Sequence, residues 1–297
     1  MNENKLEGKI CLITGGTSGI GRETALGLAK LGLEIIIIGR DRTRTVETVR
    51  SLIRHSGNQK IDFLLADLSE LHQVRDLATD FKSRHNRLDI LVNNAGAIFT
   101  KEEVTSEKIE KTWALNHLSP LFLTLELKEV LKAGSPSRVV NVTSAMYADG
   151  DMNSDNIQIK TKYSGIMAYN NSKLAMVLTT FALAKRLKDD GMTVNCVHPG
   201  LVSTGIGTNN KGFYGWLIRL STPLKWFLTA TSSYMILQAE GAKTSIYLSS
   251  SSEVSSITGK YFYKNKEKPT NKKTLDENFQ DKVWNLSLTQ INKALCK

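Results

Sequence analysis

Six short runs rich in β-branched residues recur along this chain, and longer amphipathic stretches separate them. Ile10–Thr14, Glu34–Gly39, Ile61–Ala66, Ile90–Asn93, Arg138–Thr143 and Thr193–Val197 read as strands. Several are apolar without alternation, as a strand must be when both of its faces are covered. Arg22–Leu31, Glu70–Phe81, Glu107–Leu131 and Ala168–Lys188 carry the helical pattern between them. Strand, helix, strand, repeated, requires parallel strands joined by right-handed crossovers. Tyr261–Lys297 adds a last strand, a Lys-rich loop and a C-terminal helix, a C-terminal extension over 261–297. The expected fold class is α/β, a doubly wound parallel sheet of about seven strands with helices on both faces.

A chain of 297 residues with 41% hydrophobic content can bury a large core, and residues 1–297 are expected to form a single domain. The formal net charge of +10 attracts anions. Nucleic acid is not expected, because no basic run with interleaved aromatics is present. A phosphate-bearing cofactor and an acidic membrane surface both fit the charge. Cys11, Cys196 and Cys296 show no metal-ligand spacing and no disulfide framework. Cys11 and Cys196 sit in strand-like runs and read as buried thiols of a protein in a reducing, cytoplasmic compartment. Met1–Glu7 is polar and carries no apolar signal region. No run reaches the roughly 18 apolar residues of a spanning helix.

The stretch 203–237 breaks the rhythm. It gathers Phe213, Tyr214, Trp216, Trp226, Phe227 and Tyr234 with Arg219 and Lys225. Core packing, a lid over an apolar substrate pocket, and peripheral membrane contact through 213–234 are all open for it. A homo-oligomer is open as well.

The first strand ends in Thr14-Gly15-Gly16-Thr17-Ser18-Gly19-Ile20-Gly21, and a helix follows. Small residues at this turn let the backbone approach a pyrophosphate, and the helix N-terminus supplies N–H donors and a positive dipole end. The second strand bears on NAD against NADP. An acid at its end would bond the adenosine ribose 2′-hydroxyl. Here Gly39 stands at that end, followed by Arg40 and, a helical turn on, Arg44. Guanidinium forks suit a 2′-phosphate, so NADP(H) is the expected cofactor. Arg22 is a further candidate, and Asp41 reads as a helix N-cap. Asp67, with Leu68 after it, can accept from the adenine amino group or cap the next helix. Asn93-Asn94-Ala95-Gly96 closes the fourth strand with residues small enough for close approach.

Tyr169 and Lys173 are four residues apart and share one helix face. A phenol titrates near about 10, and a neighbouring ammonium with an oxidised nicotinamide should lower it toward use as a general acid/base. Ser144 ends the fifth strand and can donate to a substrate carbonyl. Asn116 lies inside a helical stretch, where a poor helix former can bend the helix and hold a water. His117 and His198 read as structural.

Together these residues resemble the short-chain dehydrogenase/reductase superfamily, in order, over about Lys9 to Thr204: the Thr14–Gly21 loop, Asp67, Asn93–Gly96, Asn116, Ser144, Tyr169 with Lys173, and Pro199-Gly200. The resemblance implies a Rossmann-type fold and a catalytic tetrad of Asn116, Ser144, Tyr169 and Lys173. Tyr169 would transfer the proton, Ser144 orient the carbonyl, Lys173 hold the nicotinamide ribose and Asn116 support a water relay, while the cofactor carries the hydride. It also implies cofactor contacts from Gly15, Thr17, Ser18, Gly19, Ile20, Gly21, Asp67, Leu68, Asn94, Ala95, Gly96, Pro199, Gly200, Val202 and Thr204. Asn116-His117-Leu118, Gly39-Arg40-Asp41 and the 25 positions from Ser144 to Tyr169 are similar to the retinol dehydrogenase-like branch. Many members of that branch carry an N-terminal membrane anchor, which Met1–Glu7 does not resemble. The expected activity is hydride transfer between NADP(H) and a small-molecule aldehyde, ketone or alcohol, of apolar character. A cofactor-binding regulatory or scaffold protein is the alternative.

Overall fold

The structure, a computed structural model, describes residues 6–152, 163–200 and 232–296. The strands are β1 (Ile10–Thr14), β2 (Glu34–Gly39), β3 (Ile61–Leu65), β4 (Ile90–Asn93), β5 (Ser137–Val142), β6 (Met192–Val197), β7 (Tyr261–Tyr263) and β8 (Lys266–Glu267). All belong to one sheet in the order β3-β2-β1-β4-β5-β6-β7-β8. Every pairing is parallel except β7 with β8, so the eighth strand is a two-residue antiparallel return added to the seven expected. The order reverses between β1 and β4, which opens a crevice beyond their C-terminal ends.

Two helical layers cover this sheet. Cys11, Ile13, Ile35, Ile37, Ile90 and Val92 pack into one cluster with Ala25 and Leu28 of α1 (Gly19–Lys30) and Leu52 of α2 (Arg42–Ser56). Leu12, Ile36, Ile38 and Leu91, their neighbours along the same strands, point the other way. They meet Leu71, Val74 and Phe81 of α3 (Leu71–Arg84). The two-residue alternation is therefore present, but both faces are apolar, which is why the runs read as continuous.

The stretch Glu107–Leu131, expected as one helix, is broken. Lys108 has a φ of 65°, and α4 (Lys111–Trp113) starts only where the Glu110 carboxylate accepts from the backbone N–H groups of Thr112 and Trp113. A π-helical turn, Ala114–Leu118, follows, and then α5 (Ser119–Glu126) and α6 (Lys128–Ala133). The bend expected at Asn116 is this π turn, a local widening common at functional sites.

Next comes α7 (Gly165–Arg186), capped by Ser164, which places Tyr169 inside the helix rather than at its opening. Residues Ala168–Ala184 are buried throughout, as in a helix enclosed on all sides. Two further helices, α8 (Ser232–Ser250) and α9 (Glu277–Leu295), complete the layers. Of the lid expected over 203–237, residues 203–231 lie outside the described residues, and Ser232–Leu237 open α8. Val202 and Thr204 also lie outside them. Among the described residues, no helix is long and apolar enough to cross a membrane. Cys11 and Cys196 are buried, and that burial pushes both thiols up.

Candidate active site

The crevice at the strand ends begins with the glycine loop between β1 and α1. Gly15 and Gly19 have φ of 64° and 56°, a left-handed backbone that glycine adopts without strain. A side chain on Gly16 would lie 2.7 Å from Ile37, and one on Gly21 would collide with Asn94 and Gly15. At Gly19 the direction is open, with nothing within 4 Å. Ser18 makes no side-chain cap, and the first turn of α1 holds no acid. A helix N-terminus with no side-chain cap, beside open space at Gly19, fits a pyrophosphate. Asn94 fixes the loop from β4: its Nδ2 donates to Thr14 O (3.0 Å) and Gly15 O (3.3 Å), and its backbone N–H donates to Thr14 Oγ1 (2.8 Å). Leu68 lines a crevice with Thr14, Ala95 and Leu115.

At the end of β2, Gly39 leaves no room for a carboxylate. A Cβ there would collide with Thr45 Oγ1 and lie 2.7 Å from Thr17 Cγ2. Asp41 Oδ1 accepts from Arg44 N (2.7 Å) and so caps α2. Arg40 and Arg44 are exposed and have no ion-pair partner among the described residues. Arg22 differs from expectation. Its guanidinium meets Glu23 Oε1 (2.6 Å) and Ser51 Oγ (3.0 Å), so it is already neutralised and tied to α2. Asp67 Oδ1 accepts from Ser69 N (3.0 Å) and Ser69 Oγ (2.7 Å), holding the turn ahead of α3.

The structure brings the four tetrad candidates together. Lys173 is 3% exposed, and its Nζ donates to Val142 O at 2.9 Å. That Nζ lies 5.8 Å from the centroid of the Tyr169 ring. Asn116 is fully buried; its Oδ1 accepts from Ala97 N (2.9 Å), and its Nδ2 donates to Ala97 O (2.9 Å) and Ser172 Oγ (3.1 Å). A Cβ on Gly96 would sit 3.2 Å from Asn116 Oδ1 and 3.3 Å from Lys173 Nζ, so the bare glycine lets both approach the end of β4. Ser144 Oγ accepts from Met146 N (3.2 Å) and is within hydrogen-bonding reach of the Tyr169 phenol.

Burial depresses Lys173 to about 8. Burial also pushes the Tyr169 phenol above its ordinary value, and the Ser144 hydrogen bond only partly opposes it. The lowering expected from the ammonium together with an oxidised nicotinamide does not come from these protein groups by themselves: the ammonium faces a carbonyl, and desolvation dominates. Such a phenol keeps its proton at neutral pH.

Beyond β6, Gly200 has a φ of 91° and its N–H donates to His198 Nδ1 (3.2 Å), while the His198 ring stacks on Tyr263 at 4.7 Å. Pro199 lies between them, half-buried. Ser172 was missed as a site residue. It joins Asn116 to the backbone of Tyr169 through a 2.7 Å bond to Tyr169 O, and its place beside Lys173 was the available signal. Sequence spacing also hid a group of donors. Glu70, His72 and Glu107 bring ligand-type atoms within 4.8 Å of one another. His72 Nδ1 meets Glu107 Oε1 at 2.7 Å, and Glu70 accepts from Ser106, so these bonds pin the loop before α4 onto α3.

Residues 9–212, which carry every site residue above except Tyr263, match the family model for short chain dehydrogenases. The chain belongs to the short chain dehydrogenase family. Its similarity extends past that segment. Human retinol dehydrogenase 14 is 36% identical over 299 residues, covering 96% of this chain and 87% of the relative. Human polyprenol dehydrogenase is 35% identical over 286 residues, covering 94% and 84%. These likenesses place this dehydrogenase in the retinol dehydrogenase-like branch. The Pseudomonas aeruginosa RhlG/NADP active-site complex aligns with a TM-score of 0.63 at 25% identity, covering 93% of this chain and 97% of that one.

Proposed function

We propose that this dehydrogenase uses NADP(H) to interconvert a lipophilic aldehyde or ketone and its alcohol, with Tyr169 as the proton-transferring residue. The observation that carries the reading is the meeting of buried Tyr169, Lys173 and Asn116 with half-buried Ser144 beside a glycine loop shaped for a pyrophosphate. Bound NADP(H) supplies or accepts the hydride. Arg40 and Arg44 would hold its 2′-phosphate, since position 39 cannot carry the acid that selects NAD. The α1 N-terminus would hold the pyrophosphate, and Asp67 with Leu68 would border the adenine.

In the reductive direction Ser144 steadies the substrate oxygen while Tyr169 releases its proton to it. A phenol that burial keeps protonated holds its proton in place for this direction. Asn116, joined through Ser172 to the backbone of Tyr169, keeps that phenol aimed at one point. The apolar substrate class is carried over from the named alcohols of two relatives, retinol and polyprenol dehydrogenase. The test is steady-state turnover of NADPH against a panel of lipophilic carbonyls, with Tyr169→Phe as the control. Loss of at least about a hundredfold in kcat supports the assignment, and an unchanged rate refutes it.

A further inference from the structure

The C-terminal helix α9 lies beyond residues 9–212, the part of the chain that matches the family model. Yet it reaches both helices that carry the proposed catalytic side chains. Against α7, Arg186 stacks on Trp284 at 4.4 Å and pairs with Asp281 at 2.7 Å. Against the π turn, two hydrogen bonds flank Asn116. Trp113 Nε1 donates to Gln290 Oε1 at 2.8 Å, and His117 Nε2 meets Ser287 Oγ at 2.7 Å.

The second bond has a defined direction. A serine hydroxyl has one proton, and Ser287 gives it to Val283 O at 2.6 Å. Ser287 Oγ must therefore accept from His117 Nε2–H. The His117 Nδ1 is left buried without a partner among the described residues, and burial holds the ring neutral. The imidazole thus has one polar anchor, and that anchor is on α9. The Trp113 and His117 rings, 4.4 Å apart, close the gap between the two bonds.

We infer that α9 is a strut that sets the π turn, with Ser287 as the positioning residue that holds Asn116 in register with Ala97 and Ser172. A π turn carries one residue more than an α turn, so without an external hold it can relax and swing Asn116 away. The inference rests on the proposed role of Asn116 in turnover, but the Ala97 amide, which donates to Asn116, reports the same geometry without any reaction.

The experiment compares Ser287→Ala, Gln290→Leu and Ile291→Val in the full chain. Ile291→Val softens α9 while keeping both hydrogen bonds. Hydrogen exchange at Ala97 and steady-state kinetics with NADPH are read together. Ser287→Ala is expected to speed Ala97 exchange and to lower kcat, each about tenfold, with the KM for NADPH within about twofold of wild type. Gln290→Leu, at a half-buried site, is expected to do the same in smaller measure and serves if Ser287→Ala does not fold. Ile291→Val is expected to leave both readouts unchanged. Unchanged Ala97 exchange in the folded hydrogen-bond variants, or an equal effect from Ile291→Val, overturns the strut. If Tyr169→Phe retains full turnover while Ser287→Ala still releases Ala97, the catalytic reading falls and the strut stands.

Discussion

Lys173 directs its ammonium at the carbonyl oxygen of Val142, 2.9 Å away, from a helix 31 residues further along the chain. The pair costs stability, because a 3% exposed amine is charged with one carbonyl to compensate it. The Lys173 pKa is about 8 in the folded protein against 10.5 for the free group. Between these values the unfolded chain binds the extra proton, so wild-type stability rises with pH over that window and is lowest below about 8. Lys173→Met removes the penalty. It is expected to raise stability by about 2 kcal/mol at neutral pH, less as pH approaches 10.5, while abolishing turnover. Denaturant melts at several pH values check it; a Met variant less stable than wild type at neutral pH would reject it.

Gly39 and Thr45 make a second prediction. Arg40→Ala should weaken NADPH binding by about tenfold or more and leave NADH within about twofold, because only the 2′-phosphate is lost from the contact. Fluorescence titration with both cofactors measures this, and equal losses would exclude the assignment.

The usual exchange of the end-of-strand residue for an acid should fail here. Gly39→Asp places its Cβ against Thr45 Oγ1 and Thr17, and overpacking of that kind destabilises by about 1–3 kcal/mol. Adding Thr45→Ala should restore part of the melting temperature and allow NADH to bind. A Gly39→Asp single variant as stable as wild type would show that the collision is relieved another way.

His117 links acid stability to the π turn. Burial holds it at about 3, against 6.5 for a free imidazole. The unfolded chain takes up a proton first as pH falls, so stability is lost progressively from about 6.5 toward about 3. At about pH 4.5 this amounts to on the order of 2 kcal/mol. His117→Phe, which cannot titrate, should lose less stability between neutral pH and about 4.5 than wild type. Parallel melting curves of equal slope for the two proteins would contradict it.

What the residues dictate by themselves is local. Strand and helix periods, the glycine turn after Thr14, and the shared face of Tyr169 and Lys173 follow from φ/ψ preferences and from repeats of two and four residues, so they were legible before any fold was known. The same holds for the Gly39-Arg40 pattern, on which the proposed 2′-phosphate contact rests. The break in Glu107–Leu131 was legible only at Asn116. The other breaks depend on Glu110 capping a new start and on Lys108 turning left-handed, choices that helix periodicity does not report.

Tertiary structure decided the rest, because it sets which distant groups share a dielectric and a hydrogen bond. The strand order β4-β5-β6 puts Val142 in front of Lys173 and Ala97 in front of Asn116. Desolvation raises the Tyr169 phenol among the protein groups alone, where the expected lowering also called on an oxidised nicotinamide. Arg22 was taken by Glu23 and Ser51. The bonds from His117 to Ser287 and from Trp113 to Gln290 span 170 and 177 residues, a separation at which sequence carries no periodic signal and only the packing of α9 brings donor to acceptor.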